Sequence, residues 1–161
     1  MTGTAESPWE IPCNGYAVRL VPILGNNYAF VLIQDDQALV VDPGEAEPVA
    51  RFLEQRQLRL TDIWITHGHS DHIGGVRDLI SHTGARLTAP AGLPLPPVDR
   101  VVDEGSRLTW GSARFDVWST PGHLPIHVTY VEAGGQPCAA FVGDVLFGGG
   151  CGRLFGNPPA L

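Results

Sequence analysis

The chain breaks into short apolar or alternating runs, bounded by Gly, Pro, Asn and Asp, and only two stretches carry a helical spacing. Ala17 to Leu24, Tyr28 to Gln34 and Gln37 to Val41 predict three successive strands joined by tight turns. Pro48 to Arg59 places Val49, Phe52 and Leu53 on one face and predicts a helix. Asp62 to Thr66 reads as a short buried strand. Ile73 to about His82 is the second helix, with Gly84 as its stop. Ala85 to Pro90 suggests a short strand, and Ala89 to Pro97, with four prolines, a stiff loop. Arg107 to Trp110, Ala113 to Trp118, His127 to Glu132 and Cys138 to Val142 complete the strands. Strands in runs with helices interspersed predict a mixed α/β (α+β) fold: two sheets packed face to face, helices outside.

Composition narrows this picture. A chain of 161 residues that is 43% apolar makes one domain with a proper core, spanning 1–161. The formal net charge of −7 and the lack of basic runs argue against a nucleic-acid partner. Met1 to Asn14 lacks the charged-then-apolar pattern of a signal peptide. No apolar stretch reaches the length of a membrane span, so no membrane partner is expected. Cys13, Cys138 and Cys151 are odd in number and far apart, which fits a reducing cytoplasm. Each reads as a packed small hydrophobe.

The chemistry is concentrated in Thr66-His67-Gly68-His69-Ser70-Asp71-His72, between the Asp62 strand and the second helix. Imidazole and carboxylate are the usual protein ligands of zinc and ferrous iron. A strand-to-helix loop can aim several of them at one point. Two further strand ends contribute: Thr120-Pro121-Gly122-His123, and Gly143-Asp144. Together they offer His67, His69, Asp71, His72, His123 and Asp144. That is more than one tetrahedral zinc needs, and it suits two metals sharing a carboxylate.

The spacing HxHxDH, the later TPGH and the GD after an apolar strand resemble the metallo-β-lactamase superfamily. Gly143-Asp144-Val145-Leu146-Phe147, with Gly150-Cys151-Gly152-Arg153-Leu154-Phe155, is similar to glyoxalase II, the hydroxyacylglutathione hydrolases. Leu24-Gly25-Asn26-Asn27-Tyr28 and Val41-Asp42-Pro43-Gly44 match early signatures of that family. The resemblance runs from about Val18 to Phe155 and implies an αββα sandwich. It also implies that His67, His69 and His123 form a first metal site, that Asp71 and His72 begin a second, and that Asp144 bridges. The cofactor would be zinc, with iron or manganese suited to the same donors. Asp71 would also serve catalysis, orienting the nucleophile or carrying its proton. The reaction implied is hydrolysis of a glutathione thioester such as S-lactoylglutathione. Arg153 would meet a glutathione carboxylate, and Phe155 falls where many relatives carry an aromatic, often a tyrosine.

Other residues have two readings. Asp71 is also a candidate helix N-cap. Asp42 either supports a ligand imidazole from behind or simply makes the Asp42-Pro43-Gly44 turn. His127 reads as a packed strand histidine rather than a ligand, and His82 as an ordinary helix C-terminal residue. Gly74 and Gly75 are expected to allow close packing beneath the metals. The resemblance implies a further metal-binding His and a helical region beyond Leu161, so the chain reads as cut short. The second metal site is then one ligand poor, and an exposed sheet edge near Cys138 to Val142 invites dimerisation. A mononuclear iron persulfide dioxygenase shares HxHxDH and GCGR and is the alternative enzyme. A metal-binding but inactive chain is the alternative outside enzymes.

Overall fold

The computed structural model describes residues 10–155. Most of the N-terminal stretch read for a signal peptide, and the Asn157-Pro158-Pro159 tail, lie outside the described residues. Among the described residues, eleven strands form two sheets. The larger has seven strands in chain order: β1 (Glu10–Pro12), β2 (Ala17–Ile23), β3 (Asn27–Gln34), β4 (Gln37–Val41), β5 (Arg59–Trp64), β6 (Arg86–Pro90) and β7 (Arg100–Val102). The smaller has the order β11 (Ala140–Phe141), β10 (Val128–Glu132), β9 (Ala113–Ser119), β8 (Arg107–Trp110), all antiparallel.

Connection length decides the pairing. Two-residue and three-residue turns join β2, β3 and β4, so these strands run antiparallel. The longer links that carry α1 (Ala46–Gln55) and the pair α2 (Ser70–Ile73) and α3 (Val76–Thr83) make β4, β5 and β6 parallel. Parallel strands covered on both faces read as continuous apolar runs. Ala38-Leu39-Val40-Val41 is fully buried for that reason.

Two cores result. Val31, Val40 and Ile63 of the large sheet pack against Val49 and Leu53 of α1 and Val76 and Leu79 of α3. The opposite face of the same sheet presents Leu32, Leu39, Val41 and Trp64 to Phe115, Val117, Tyr130 and Phe141 of the small sheet. Trp64 meets Phe115 edge-on at 5.2 Å between centroids. The layers among the described residues are therefore helix, sheet, sheet. The outer helical layer of the αββα arrangement is not among them.

The predicted helix at Ile73 differs in one respect. It starts earlier, at Ser70, and breaks at Gly74-Gly75 before resuming as α3. The break lets the Asp42-Pro43-Gly44 turn approach: Gly75 N–H donates to Pro43 O at 2.8 Å. A Cβ on Gly75 would lie 2.6 Å from Ala46 N and 2.7 Å from Pro43 O. Gly84 stops α3 in the left-handed region, at φ 67°.

The cysteines overturn an expectation. Cys13 and Cys138 form a disulfide across 125 residues of sequence, tying the turn before β2 to the loop before β11. Cys151 is exposed rather than packed. The pairing was hidden because only the two-sheet packing brings the residues together. Disulfides persist in oxidising surroundings, so the cysteines do not argue for a reducing cytoplasm. No helix among the described residues is long and apolar enough to cross a membrane.

Candidate metal centre

The parallel pair β4 and β5 ends side by side, and the site grows from those ends. Asp42 follows β4 in the left-handed region, φ 52°, where a non-glycine residue is strained. That backbone turns its carboxylate back along the sheet. Oδ1 accepts the Thr66 N–H at 2.8 Å, and Oδ2 accepts the Thr66 hydroxyl at 2.6 Å. His72 Nδ1 lies 3.0 Å from the same Oδ2 and donates to it. Thr66 Oγ1, having given its own proton to Asp42, accepts from His67 Nδ1 at 3.0 Å. Both rings are thus fixed as tautomers whose bare Nε2 faces the site. His67 Nε2 and His72 Nε2 are buried with no hydrogen-bond partner among the described residues.

Two other strand ends deliver the remaining groups. His123, in the loop between β9 and β10, puts Nε2 2.9 Å from His69 Nδ1. Its own Nδ1 is held at 2.7 Å by the Arg153 carbonyl. Asp144 sits in a short 3-10 turn after β11. Its Oδ2 lies 3.1 Å from His123 Nε2 and 3.9 Å from His67 Nε2. Its Oδ1 faces the other way, 3.1 Å from His72 Nε2. Asp71 Oδ2 is 3.5 Å from that same nitrogen, and its side chain is 48% exposed. Asn27 steadies Asp71, donating to its carbonyl and carboxylate at 3.2 Å each.

All six predicted donors therefore converge. His67, His69, His123 and Asp144 make one group whose candidate donor atoms lie within 4.8 Å of one another. Asp42, His67 and His72 satisfy the same distance test. Yet Asp42 already accepts three hydrogen bonds and approaches His72 through Nδ1. It is the support behind the imidazole, and it also makes the turn, so both readings of Asp42 hold. Asp71 is not an N-cap: His69 occupies that position, and no side chain caps the helix.

The electrostatics suit a cation. Burial opposes protonation of His72, but the hydrogen bond to Asp42 and the charges of Asp42, Asp144 and Asp71 outweigh it and raise its pKa. Burial pushes His67 well below its ordinary value, and the surrounding imidazoles push further. His127 is lowered to about 4, chiefly by burial. These donors fit a metal: two orphaned imidazole nitrogens and a carboxylate between them are what a bound ion would satisfy.

Arg153 and Phe155 lie at the rim. The Arg153 guanidinium sits 5.9 Å from the Phe155 ring centre, and that ring stands edge-on to His69 and His123. Sequence reasoning missed the backbone part of this segment, namely the Arg153 carbonyl on His123. It also missed Asn27 on Asp71 and Thr66 as the link between Asp42 and His67. For Thr66, its place directly before His67 was an available signal. A cleft of about 510 Å³ opens beside Asp71, His72 and Asp144, walled by Phe30, Phe141 and Leu146.

Residues 22–159 match the metallo-beta-lactamase superfamily, and the chain belongs to that superfamily. Within it, the chain is 40% identical over 137 residues to a hydroxyacylglutathione hydrolase from Chromohalobacter salexigens, covering 84% of this chain and 53% of that protein. It is 41% identical over 147 residues to one from Aeromonas salmonicida, covering 90% and 56%. The chain thus spans about half the length of these curated relatives. Among solved structures it is similar to the BLEG-1 B3 metallo-beta-lactamase, with TM-score 0.73 and 29% identity over 84% of this chain and 76% of that one. ETHE1 from Myxococcus xanthus gives TM-score 0.71 and 29% identity over 84% and 60%.

Proposed function

We propose that this chain is a metal-dependent hydrolase of hydroxyacylglutathione thioesters such as S-lactoylglutathione, with zinc as the metal. The observation that carries the reading is Asp144, whose two oxygens face two different imidazole groups. His67, His69 and His123 would hold one ion, Asp71 and His72 the other, and Asp144 would serve both. The second set is one donor poorer and is expected to bind more loosely. A bound metal supplies Lewis acidity, which acidifies water and polarises an acyl carbonyl.

The chain's own groups do the rest. Asp42 and Thr66 lock the tautomers of His72 and His67. Asp71, half exposed and steadied by Asn27, would accept and pass on the proton of the attacking water. The thiolate of glutathione leaves readily because a thiol is far more acidic than an alcohol. Arg153 at the rim offers charge to a glutathione carboxylate, and Phe155 packs beside it. The roughly 40% identity to hydroxyacylglutathione hydrolases favours this substrate over a persulfide or a β-lactam.

Glutathione release from S-lactoylglutathione by the purified chain, with and without added zinc, tests this. Zinc-dependent thioester hydrolysis that outpaces ring opening of a β-lactam and oxidation of glutathione persulfide is expected. A fully metal-loaded chain with no thioesterase activity would overturn the substrate assignment. Self-association through the β11 edge is part of the same proposal.

A further inference from the structure

His127 is not among the groups assigned to the metals, yet it is buried in the middle of them. Its ring stacks on His67 at 4.8 Å with 22° between planes. A backbone bridge links the same two residues. Its two nitrogens have different partners. Nε2 lies 3.3 Å from the Asp144 backbone N–H, which can only donate. Nε2 must therefore be the bare nitrogen. The proton of the neutral ring sits on Nδ1, 2.9 Å from Thr120 Oγ1. Thr120 accepts it and turns its own hydroxyl to Thr129 Oγ1 at 3.1 Å. The Asp144 N–H, which can only donate, fixes the tautomer, and the Thr120 hydroxyl, which can accept, is compatible with it.

Asp144 needs such an anchor. It stands in a segment whose apolar side chains do not hold it down: Leu146 and Phe147 are 63% and 49% exposed. Its backbone is instead gripped on both sides, by His127 at the N–H and by Gly152 N–H on its carbonyl at 3.0 Å. Gly143 permits the approach. It adopts φ +49°, and a Cβ there would lie 2.8 Å from His127 Nε2 and 2.5 Å from Thr66 Oγ1. Three features, a bare ring nitrogen, a left-handed glycine and an aligned amide, meet at the residue that faces both imidazole groups.

We infer that His127 is a positioning residue, whose Nε2 holds the Asp144 backbone so that its carboxylate spans the two imidazole groups. The inference rests on the reading of Asp144 as the shared ligand. It predicts that an acceptor at the Nε2 position matters and that the ring itself does not. His127→Gln carries an amide oxygen out to that position. His127→Asn reaches only as far as Nδ1, serving Thr120 and leaving the Asp144 N–H without a partner. Both lose the ring and its stacking on His67, so a merely packed histidine would make the two variants alike.

Titration of the metal-free chain with Co²⁺, followed by visible absorption, separates these cases. His127→Asn is expected to weaken binding by about tenfold or more, the usual cost of losing a group behind a ligand, and to shift the cobalt spectrum. His127→Gln should stay within about threefold of the unmodified chain. Melting temperatures of the metal-free variants should fall together. Nitrogen-15 spectra of the unmodified chain should show the Nδ1–H tautomer at His127. Equal loss of affinity in both variants, or an Nε2–H tautomer, overturns the positioning role while leaving the metal site standing. An unmodified chain that binds no cobalt overturns the metal reading itself, and this inference with it.

Discussion

Single side chains at this site act through one another, and Asp42 is the one on which most depend. It sits in a strained backbone region at a typical cost of about 1–3 kcal/mol, and it accepts three buried hydrogen bonds. Replacing it with Asn removes the charge that favours a cation beside His72 and sets an amide N–H against one of the donors. Asp42→Asn is expected to weaken metal binding by about 10- to 100-fold at the His72 side, which it touches directly, and by less at the His69 side, which it reaches only through Thr66 and His67. Separate loss of the looser site in a zinc titration would bear this out; equal loss at both sites would not. His69→Ala should do the reverse and remove the tighter ion, read as metal content after dialysis. The imidazoles also set a pH dependence. Burial holds His127 near 4 and His67 lower still, so unfolding lets both take up protons near 6.5. The unfolded metal-free chain binds more protons in that window, and stability rises with pH between about 4 and 6.5. His72, with its raised pKa, works oppositely: its contribution is present at low pH and fades as pH rises through the raised value. The melting temperature of the metal-free chain should therefore climb from about pH 4.5 toward neutrality, and more gently in His127→Gln. A melting temperature that falls over that range would contradict the burial of these rings.

Elements were the most legible level of this chain, because strand period and turn residues are local properties. Gln37–Val41 and Arg107–Trp110 have the bounds read from the sequence. β1 and β7, of three residues each, went unseen. Strands that short carry too few positions for a period, and their partners on the sheet define them. The six metal-type donors were legible as well, because three of the groups follow strand ends. Most of what supports them was not: Asn27 and the Arg153 carbonyl reach the site through tertiary folding alone, and Thr66, though next to His67 in sequence, meets Asp42 only there. Gly75 shows how an element boundary serves the site. The helix breaks there so that the turn carrying Asp42 can lie against it. Gly75→Ala must push backbone aside on two sides and is expected to destabilise by about 1–3 kcal/mol, against the small gain alanine brings to an ordinary helix. Denaturant unfolding gives the value, and a stabilised variant would refute the close approach.

At the scale of the molecule, two features bind the sheets together and one leaves them open. The hydrophobic layer around Trp64, Phe115 and Tyr130 joins the two sheets, and the Cys13–Cys138 disulfide fastens their rims. Because it closes a 125-residue loop, its removal in Cys13→Ser/Cys138→Ser should cost about 2–4 kcal/mol. The open feature is β11. It is two residues long, pairs with β10 on one side, and ends the small sheet on the other. Nearby, Leu146, Phe147, Leu154 and Phe155 are all about half exposed or more. An unpaired edge beside exposed apolar side chains is a template for another strand. In a solution of this chain alone, that strand would come from a second copy. Sedimentation velocity should then show a dimer growing in as concentration rises. Ala140→Lys places a charge on the exposed edge and should shift the chain back to monomer while leaving the melting temperature of the isolated domain unchanged. A chain that stays monomeric at every concentration would show that the β11 edge is blunted by its shortness and twist, with no need of a partner strand.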